Sequence, residues 1–192
     1  MKYIWLLFTI LFLGCHNSVE SSFQSLNQAF INWYYKYHPV EATRFGIEKY
    51  NEGFRLMGIT EHEEYMADIS RFTIELSQID VTKLFLEERI EYHILYSQLE
   101  KMKFIMNDMR PWEWNALWAL DEISEGLFLL CERPGINMNK RVESAQERLN
   151  IIPNMLNLSK EMMLAHSFLN LEYANERIVQ INYLMEQLPI KL

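Results

Sequence analysis

The stretch "HEEYM", residues 62–66, has the residue types of a zinc site but lacks its full spacing. Zinc-dependent peptide hydrolysis uses two histidines one helical turn apart, with a glutamate after the first histidine as the general base. Here the fifth position is Met66, and a thioether cannot replace the second imidazole of such a site. We therefore predict that His62 is not a zinc ligand.

A helix start accounts for the same residues without a metal. Thr60 precedes Glu63 by three positions, which is the spacing of a capping box. We expect Thr60 at the N-cap and the Glu63 side chain on its backbone N–H. The apolar stripe of this helix is predicted to face the core and comprises Met66, Ile69, Phe72 and Leu76.

The other histidines do not supply a metal site either. His16 lies in the predicted tether and His38 at a helix end before Pro39, and His93 and His166 are on different helices with no second histidine at ligand spacing. A helical di-iron centre would need Glu-x-x-His pairs on two helices, and the sequence contains none. We predict no metal, cofactor or catalytic residue in this chain.

Two clusters near Trp118 could carry chemistry or could be structural. Asp121, Glu122 and Glu125 form an acidic patch at helical spacing; such carboxylates can share a proton, although a solvated helix face is the commoner role. A second cluster could wall a ligand groove or belong to the core, and it comprises Trp112, Trp114 and Trp118. We favour the core, with Trp112 partly exposed because it stands at the helix start.

The N-terminal residues, "MKYIWLLFTILFLGC", are typical of an export signal. One lysine precedes an apolar run, 3–13, that is too short to span a bilayer. Gly14 directly before Cys15 resembles a bacterial lipoprotein signal, which predicts cleavage after residue 14, a lipid on Cys15 and a tether over 15–22. The protein would then be exported and membrane-anchored in the cell envelope. An ordinary signal peptide or membrane anchor that contains a cysteine is the alternative.

The composition predicts one α-helical domain over residues 23–192. Hydrophobic residues make up 49% of the chain, against 6 Gly and 5 Pro, and the net charge of −8 argues against nucleic acid as a partner. Apolar residues recur at helical spacing throughout, which indicates an all-α, multi-helix array with short connections. We expect Cys131, at the end of an apolar helix, to be a buried, inert thiol.

Prolines and glycines suggest where the helices begin and end. We expect a break at Pro39, a short helix stopped near Gly46, and a long helix over roughly 84–108. The long helix is predicted to bury Ile90, Ile94, Leu95, Leu99, Met102 and Ile105. Further boundaries are expected at prolines: a helix starting at Pro111 and ending at Pro134, a kink or break at Pro153, and a helix end at Pro189.

Three stretches, in this order, resemble a known protein family. They are "HPVEATRFGIEKY", "EERIEYHILYSQLEKMKF" and "RVESAQERLNIIPNMLNLSKEMM". The matching residues are Pro39, Ala42, Thr43, Gly46, Arg148, Leu149, Ile152 and Pro153. From about Phe23 to Leu188 the chain is similar to the N-terminal part of the bacterial domain-of-unknown-function family 885, many of whose members are exported lipoproteins.

The resemblance implies a helical protein whose longer relatives look like zinc metallopeptidases. Their His-Glu-x-x-His motif lies in a C-terminal half with no counterpart before Leu192, so no zinc ligand is carried onto this chain. The matched residues are expected to be scaffold. The chain is thus expected to be a scaffold portion, inactive alone, with zinc and a peptide substrate implied only for the full-length form. A self-sufficient, non-enzymatic lipoprotein that binds a peptide or protein is the alternative.

Overall fold

The computed structural model describes residues 22–164 and 168–191, which form helices and short connections. No β-strand occurs in these residues, so the predicted all-α class is confirmed. The predicted signal peptide, Cys15 and most of the tether lie outside them. The α-helices are α1 (22–37), α2 (Pro39–Phe45), α3 (Ile59–Ser77), α4 (Leu86–Phe104), α5 (Leu117–Glu132), α6 (Met138–Met162) and α7 (Phe168–Lys191).

Shorter helical turns join some of these helices. 3₁₀ turns occupy Glu48–Tyr50, Val81–Lys83 and Pro111–Glu113, and a π-helical turn, Ile105–Met109, extends α4. None of the helices in the described part of the chain has both the length and the apolar character that a membrane span requires.

The chain divides into two compact units, and the division falls inside α1 and α3. Among the described residues, the first unit comprises 22–32 together with Glu64–Asp108. The second comprises Trp33–Glu63, 109–164 and 168–191. Each unit has buried side chains of its own.

The first unit packs α1, α3 and α4 around aromatic and aliphatic side chains. Phe30 of α1 meets Phe72 of α3 edge-on, with ring centroids 5.5 Å apart. Polar contacts flank this core, since the Gln24 amide donates to the Glu88 carboxylate at 3.2 Å. The buried residues of this unit include Phe23, Leu26, Phe30, Tyr65, Ile69, Phe72, Leu76, Leu95, Leu99, Met102 and Met106.

Three predicted core positions of the first unit, one on α3 and two on α4, are wrong. Met66 is only half-buried, because Tyr65 takes the first core position of the α3 stripe. On α4, Leu95, Leu99 and Met102 are buried as predicted, whereas Ile90 and Ile94 are exposed, because they lie on the other side of the helix from these three. The inward face of α4 carries Glu88, Leu95, Leu99 and Met102.

The second unit is built around α5, which contacts α2, α6 and α7. The buried side chains of α5 cover a broad arc of about 160° on one side of the helix, at 100° per residue, so that this helix can pack against several neighbours. The core of this unit comprises Val40, Phe54, Ala119, Leu120, Ile123, Leu127, Leu130, Cys131, Ile136, Ala145, Met155, Ala174 and Ile181.

Several predicted helix ends agree with the structure and others do not. Helix α2 begins at Pro39 and is followed by Gly46 in the left-handed region (φ 89°), as the sequence predicts. Helix α5 begins at Leu117 rather than at Pro111, because the Asn115 side chain accepts the Leu117 N–H at 3.1 Å and starts the helix there. Helix α7 continues past Pro189 to Lys191.

The break that was one of the two alternatives at Pro153, and the N-cap expected at Thr60, also differ from the structure. Pro153 lies inside α6, which continues on both sides of it as one helix. Helix α3 begins at Ile59, so Thr60 is already helical and is not its N-cap. The His62 N–H instead donates to the Gly58 carbonyl at 2.9 Å, which closes the first turn two residues earlier than the capping-box pattern indicates.

Candidate functional site

A buried arginine connects three segments of the second unit. Arg148, on α6, is fully buried and donates from Nε to the Gly53 carbonyl (3.0 Å), from Nη1 to the Gly126 carbonyl (2.5 Å) and from Nη2 to Thr43 Oγ1 (2.7 Å). Its guanidinium carbon lies 5.1 Å from the centre of the Phe54 ring, within the range of a cation–π contact. One side chain thereby joins α2, the following loop and α5 to α6.

The electrostatics of Arg148 indicate an anchoring role rather than proton transfer. Burial lowers the pKa of Arg148 to about 10, and the negative charge of Glu122 acts in the opposite direction. The guanidinium therefore stays charged at neutral pH. No carboxylate in the described part of the chain forms an ion pair with it, so hydrogen bonds and the aromatic ring compensate its burial. Arg148 lies inside α6, not at a helix boundary, and its contacts agree with the scaffold role predicted for it.

A second polar cluster lies around Arg55, in the same unit. The Arg55 guanidinium is 3.5 Å from His38 Nδ1 and 4.9 Å from the Trp118 ring centre. The His38 ring stacks on Tyr34 with centroids 4.3 Å apart. Burial, and then the charge of Arg55, lowers the pKa of His38 well below its usual value, whereas burial raises the pKa of Tyr34. His38 is therefore neutral at pH 7 and packs as an aromatic ring.

The "HEEYM" stretch, residues 62–66, places its histidine beside a tryptophan. The His62 ring lies 4.9 Å from the Trp112 ring, and His62 Nδ1 and Trp112 Nε1 are both buried without a hydrogen-bond partner in the described part of the chain. Burial lowers the pKa of His62, and the charge of Arg110 lowers it further. His62 is thus a neutral, packed histidine.

The residues that the structure describes do not fit the zinc that the family resemblance implies for longer relatives. Over 22–164 and 168–191, no group of three or more His, Cys, Asp or Glu side chains comes together where a metal could be held. His38, His62 and His93 are each near aromatic rings. We derive no reaction step through a metal.

The acidic patch on α5 is divided between two arginines. Asp121 Oδ1 lies 2.8 Å from Arg177 Nε of α7 in an ion pair, and Glu125 pairs with Arg44 of α2. Because each carboxylate faces its own cation, the two do not form the proton-sharing pair considered from the sequence. These pairs sit at the surface, where each contributes little stability alone.

An open groove of about 820 Å³ runs along α5 and α7. The Asp121–Arg177 ion pair lies on its wall, and its apolar surface includes Phe128, Val179 and Tyr183, which are 49%, 68% and 60% exposed. Exposed apolar side chains beside a charged rim are common where a protein binds a ligand or another protein. The sequence indicates the α5 wall through its acidic residues but gives no signal for the α7 wall.

The tryptophan prediction is partly wrong. Trp112 is buried (3% exposed), because the 3₁₀ turn folds it against His62, while Trp114 is exposed and its Nε1 donates to the Met109 carbonyl at 2.9 Å. Trp118 is half-buried beneath Arg55. These three side chains do not form the wall of the α5–α7 groove.

Cys131 is buried at the end of α5, as predicted, and forms no disulfide among the described residues. The Arg141 guanidinium donates to the carbonyls of Leu130, Cys131 and Arg133, which closes the C-terminus of that helix. Cys15, the predicted lipidation site, lies outside the described residues.

Comparisons with known proteins identify the class of fold. The structure is similar to that of a "putative lipoprotein of unknown function" from Shewanella oneidensis, with a TM-score of 0.68 and 15% identity. The similarity covers 87% of this chain, which spans 38% of the length of that structure. Neither a protein-family profile nor a curated protein matches the sequence. At this identity, the similarity defines a shared all-α fold.

Proposed function

We propose that this chain is the helical scaffold portion of an exported lipoprotein, anchored to a membrane by a lipid on Cys15. The export-type sequence 1–14 and the cysteine after it support the anchor. The shared fold with a longer structure whose description names a lipoprotein is compatible with it. The anchor would hold the chain at the surface of the cell envelope.

The contact between Thr43 and Arg148 carries the scaffold assignment. These residues belong to two of the stretches that resemble family 885 and lie 105 positions apart in the chain, yet they form a buried 2.7 Å hydrogen bond. The two segments meet in the interior of the second unit, at the fully buried guanidinium of Arg148. Residues in such a position hold helices in place rather than contact a substrate. We propose that this cluster is the structural basis of the resemblance.

We assign peptide hydrolysis, with zinc, only to longer members of that family. The sequence of this chain has no His-Glu-x-x-His motif, so we expect the purified full chain to leave peptides intact when Zn²⁺ is added. A mixture of fluorogenic peptides tests this expectation, with thermolysin as the positive control. Hydrolysis that depends on Zn²⁺ and is removed by a chelator would contradict the scaffold proposal.

The lipid anchor is tested by labelling cells with an alkyne fatty acid and detecting label on the chain. The wild-type chain should be labelled and should sediment with membranes. Cys15→Ser should lose both properties, whereas the matched variant Cys131→Ser, at the other cysteine of the sequence, should keep them. A wild-type chain without label would instead indicate an ordinary signal peptide or membrane anchor.

A second function, peptide binding without catalysis, is favoured by the α5–α7 groove. Its apolar walls suit the apolar face of an amphipathic peptide helix, and the net charge of −8 favours a cationic one. A fluorescein-labelled peptide with Leu and Lys at helical spacing serves as the probe. Tyr183→Ala should weaken binding several-fold, whereas Tyr173→Ala, an exposed α7 residue outside the groove, should not. Equal effects of the two substitutions would exclude the groove.

A further inference from the structure

The outer face of α4 carries an apolar stripe that no other described residue covers. At about 100° per residue, Leu86, Ile90, Ile94 and Phe104 fall within an arc of about 80°, opposite the buried face of the helix. Leu86 and Ile94 are 62% and 63% exposed. An open depression of about 540 Å³ lies at the centre of the stripe, beside Ile90 and Ile94. Exposed apolar area of this extent along one helix is typical of an interface.

Charged residues flank this stripe in a self-complementary pattern. On one flank, Arg89 lies near the start of α4 and Glu100 near its end. On the other side, Glu87 lies on the flank near the start, and Lys101 lies near the end, within the arc of the stripe and on the side of Glu87. All four are exposed, and none forms an ion pair within the described part of the chain. The midpoint between Arg89 and Glu100, and that between Glu87 and Lys101, both fall at about residue 94.

We propose that α4 is the interface of a homodimer, in which two copies of the helix pack antiparallel about a twofold axis near Ile94. A twofold axis across antiparallel helices brings each flank against the same flank of the second copy. Arg89 then meets Glu100 of the second copy, and Glu87 meets its Lys101. Leu86 packs near Phe104 of the second copy, while the two Ile94 side chains meet at the axis. The partner is therefore a second copy of this chain.

The antiparallel arrangement is favoured over a parallel one by the ends of the helix. The first turn of α4 carries Glu87 and Glu88 and its last turn carries Lys101 and Lys103, so antiparallel packing brings an acidic end against a basic end. The helix dipoles also oppose one another in this arrangement. A parallel pair would place like ends together.

Cross-linking of the full chain in intact cells tests the geometry. With helix axes about 8–10 Å apart, cysteines at position 94 of two copies lie within reach of a short bis-maleimide. Ile94→Cys should therefore give a covalent dimer. Leu86→Cys should not, because its symmetry mate lies about 25 Å away along the helices, at 1.5 Å per residue. The wild-type chain sets the background from Cys15 and Cys131.

A charge exchange tests which residues face one another. In the Ile94→Cys background, Arg89→Glu should lower the association constant of the dimer about tenfold. The reason is that the two symmetry-related attractions between Arg89 and Glu100 become repulsions between two glutamates. The double variant Arg89→Glu/Glu100→Arg should restore the dimer. Absence of the Ile94→Cys product, or an equal product from Leu86→Cys, would overturn the proposal. A double variant that dimerises no better than Arg89→Glu would overturn it as well.

Discussion

At the scale of single residues, the three hydrogen bonds of Arg148 should contribute strongly to the stability of the second unit. Arg148→Met removes the guanidinium, leaves the Gly53 and Gly126 carbonyls without their donor, and gains only apolar packing in return. We expect a loss of about 2–4 kcal/mol in the free energy of unfolding, since buried acceptors that lose a charged donor are costly. Urea denaturation followed by circular dichroism measures this loss.

Two further variants separate the Arg148 contacts from a general effect of losing a charge. Thr43→Val removes one of the three acceptors and should cost about 1–2 kcal/mol. Lys140→Met removes an exposed cation from the same helix, with only a 3.8 Å pair to Glu48, and should change the free energy of unfolding by less than about 0.5 kcal/mol. If Arg148→Met were as mild as Lys140→Met, the anchoring role would be wrong.

His38 gives the second unit a sensitivity to acid. Its pKa is lowered in the folded protein by burial and then by Arg55, whereas in the unfolded chain it is about 6.5. Below about pH 6.5 the unfolded chain therefore binds more protons than the folded one, and the free energy of unfolding falls as the pH falls. We expect His38→Gln to flatten this fall between about pH 6.5 and 5, as measured by urea denaturation at each pH.

Arg55→Met provides the matched comparison for His38. Without the guanidinium, the pKa of His38 should rise towards its usual value, so the fall in stability should become shallower. The effect should be smaller than that of His38→Gln, because burial is the larger cause and persists. A pH profile identical to that of the wild-type chain in both variants would contradict this account.

At the scale of elements, a glycine sets how closely α5 approaches its neighbours. A Cβ on Gly126 would overlap the Phe54 ring and come within 3.0 Å of Val40 Cγ2. Gly126→Ala gains helix propensity, worth about 1 kcal/mol, but the overlap should dominate, because Phe54 is buried against Arg148. We expect a net loss of about 1–3 kcal/mol in unfolding free energy. Combining it with Phe54→Leu should cost less than the two losses added together.

The elements also show what the sequence could predict and what it could not. Helical spacing predicted the existence of the helices, and Pro39 and Gly46 predicted both ends of α2. The inward face of α4 was predicted only in part: Leu95, Leu99 and Met102 are buried, but Ile90 and Ile94 are exposed. Apolar residues occur on opposite sides of that helix, and tertiary packing chooses between them. The start of α5 depends on the Asn115 side chain, which accepts the Leu117 N–H. The prediction from the sequence placed the start at Pro111 instead, because proline is common in the first turn of a helix.

For the candidate sites too, local features could be predicted from the sequence, whereas contacts between distant residues could not. The rejection of "HEEYM" needed only the chemistry of Met66, and the buried Cys131 needed only an apolar pattern. The hydrogen bonds of Arg148 and the groove along α5 and α7 join residues far apart in the chain. Their partners depend on how the helices pack, which no local pattern in the sequence specifies.

At the scale of the whole molecule, the two units should respond separately to damage in their own cores. Phe72→Ala removes the ring that meets Phe30 in the first unit, and Leu127→Ala removes a fully buried side chain from the second. Each should cost about 2–5 kcal/mol locally, because each leaves a cavity. Hydrogen–deuterium exchange should then quicken mainly in Leu86–Phe104 for Phe72→Ala and mainly in Leu117–Glu132 for Leu127→Ala, since local opening follows cooperative units. Equal acceleration of both helices by either substitution would mean that the described chain opens as one unit.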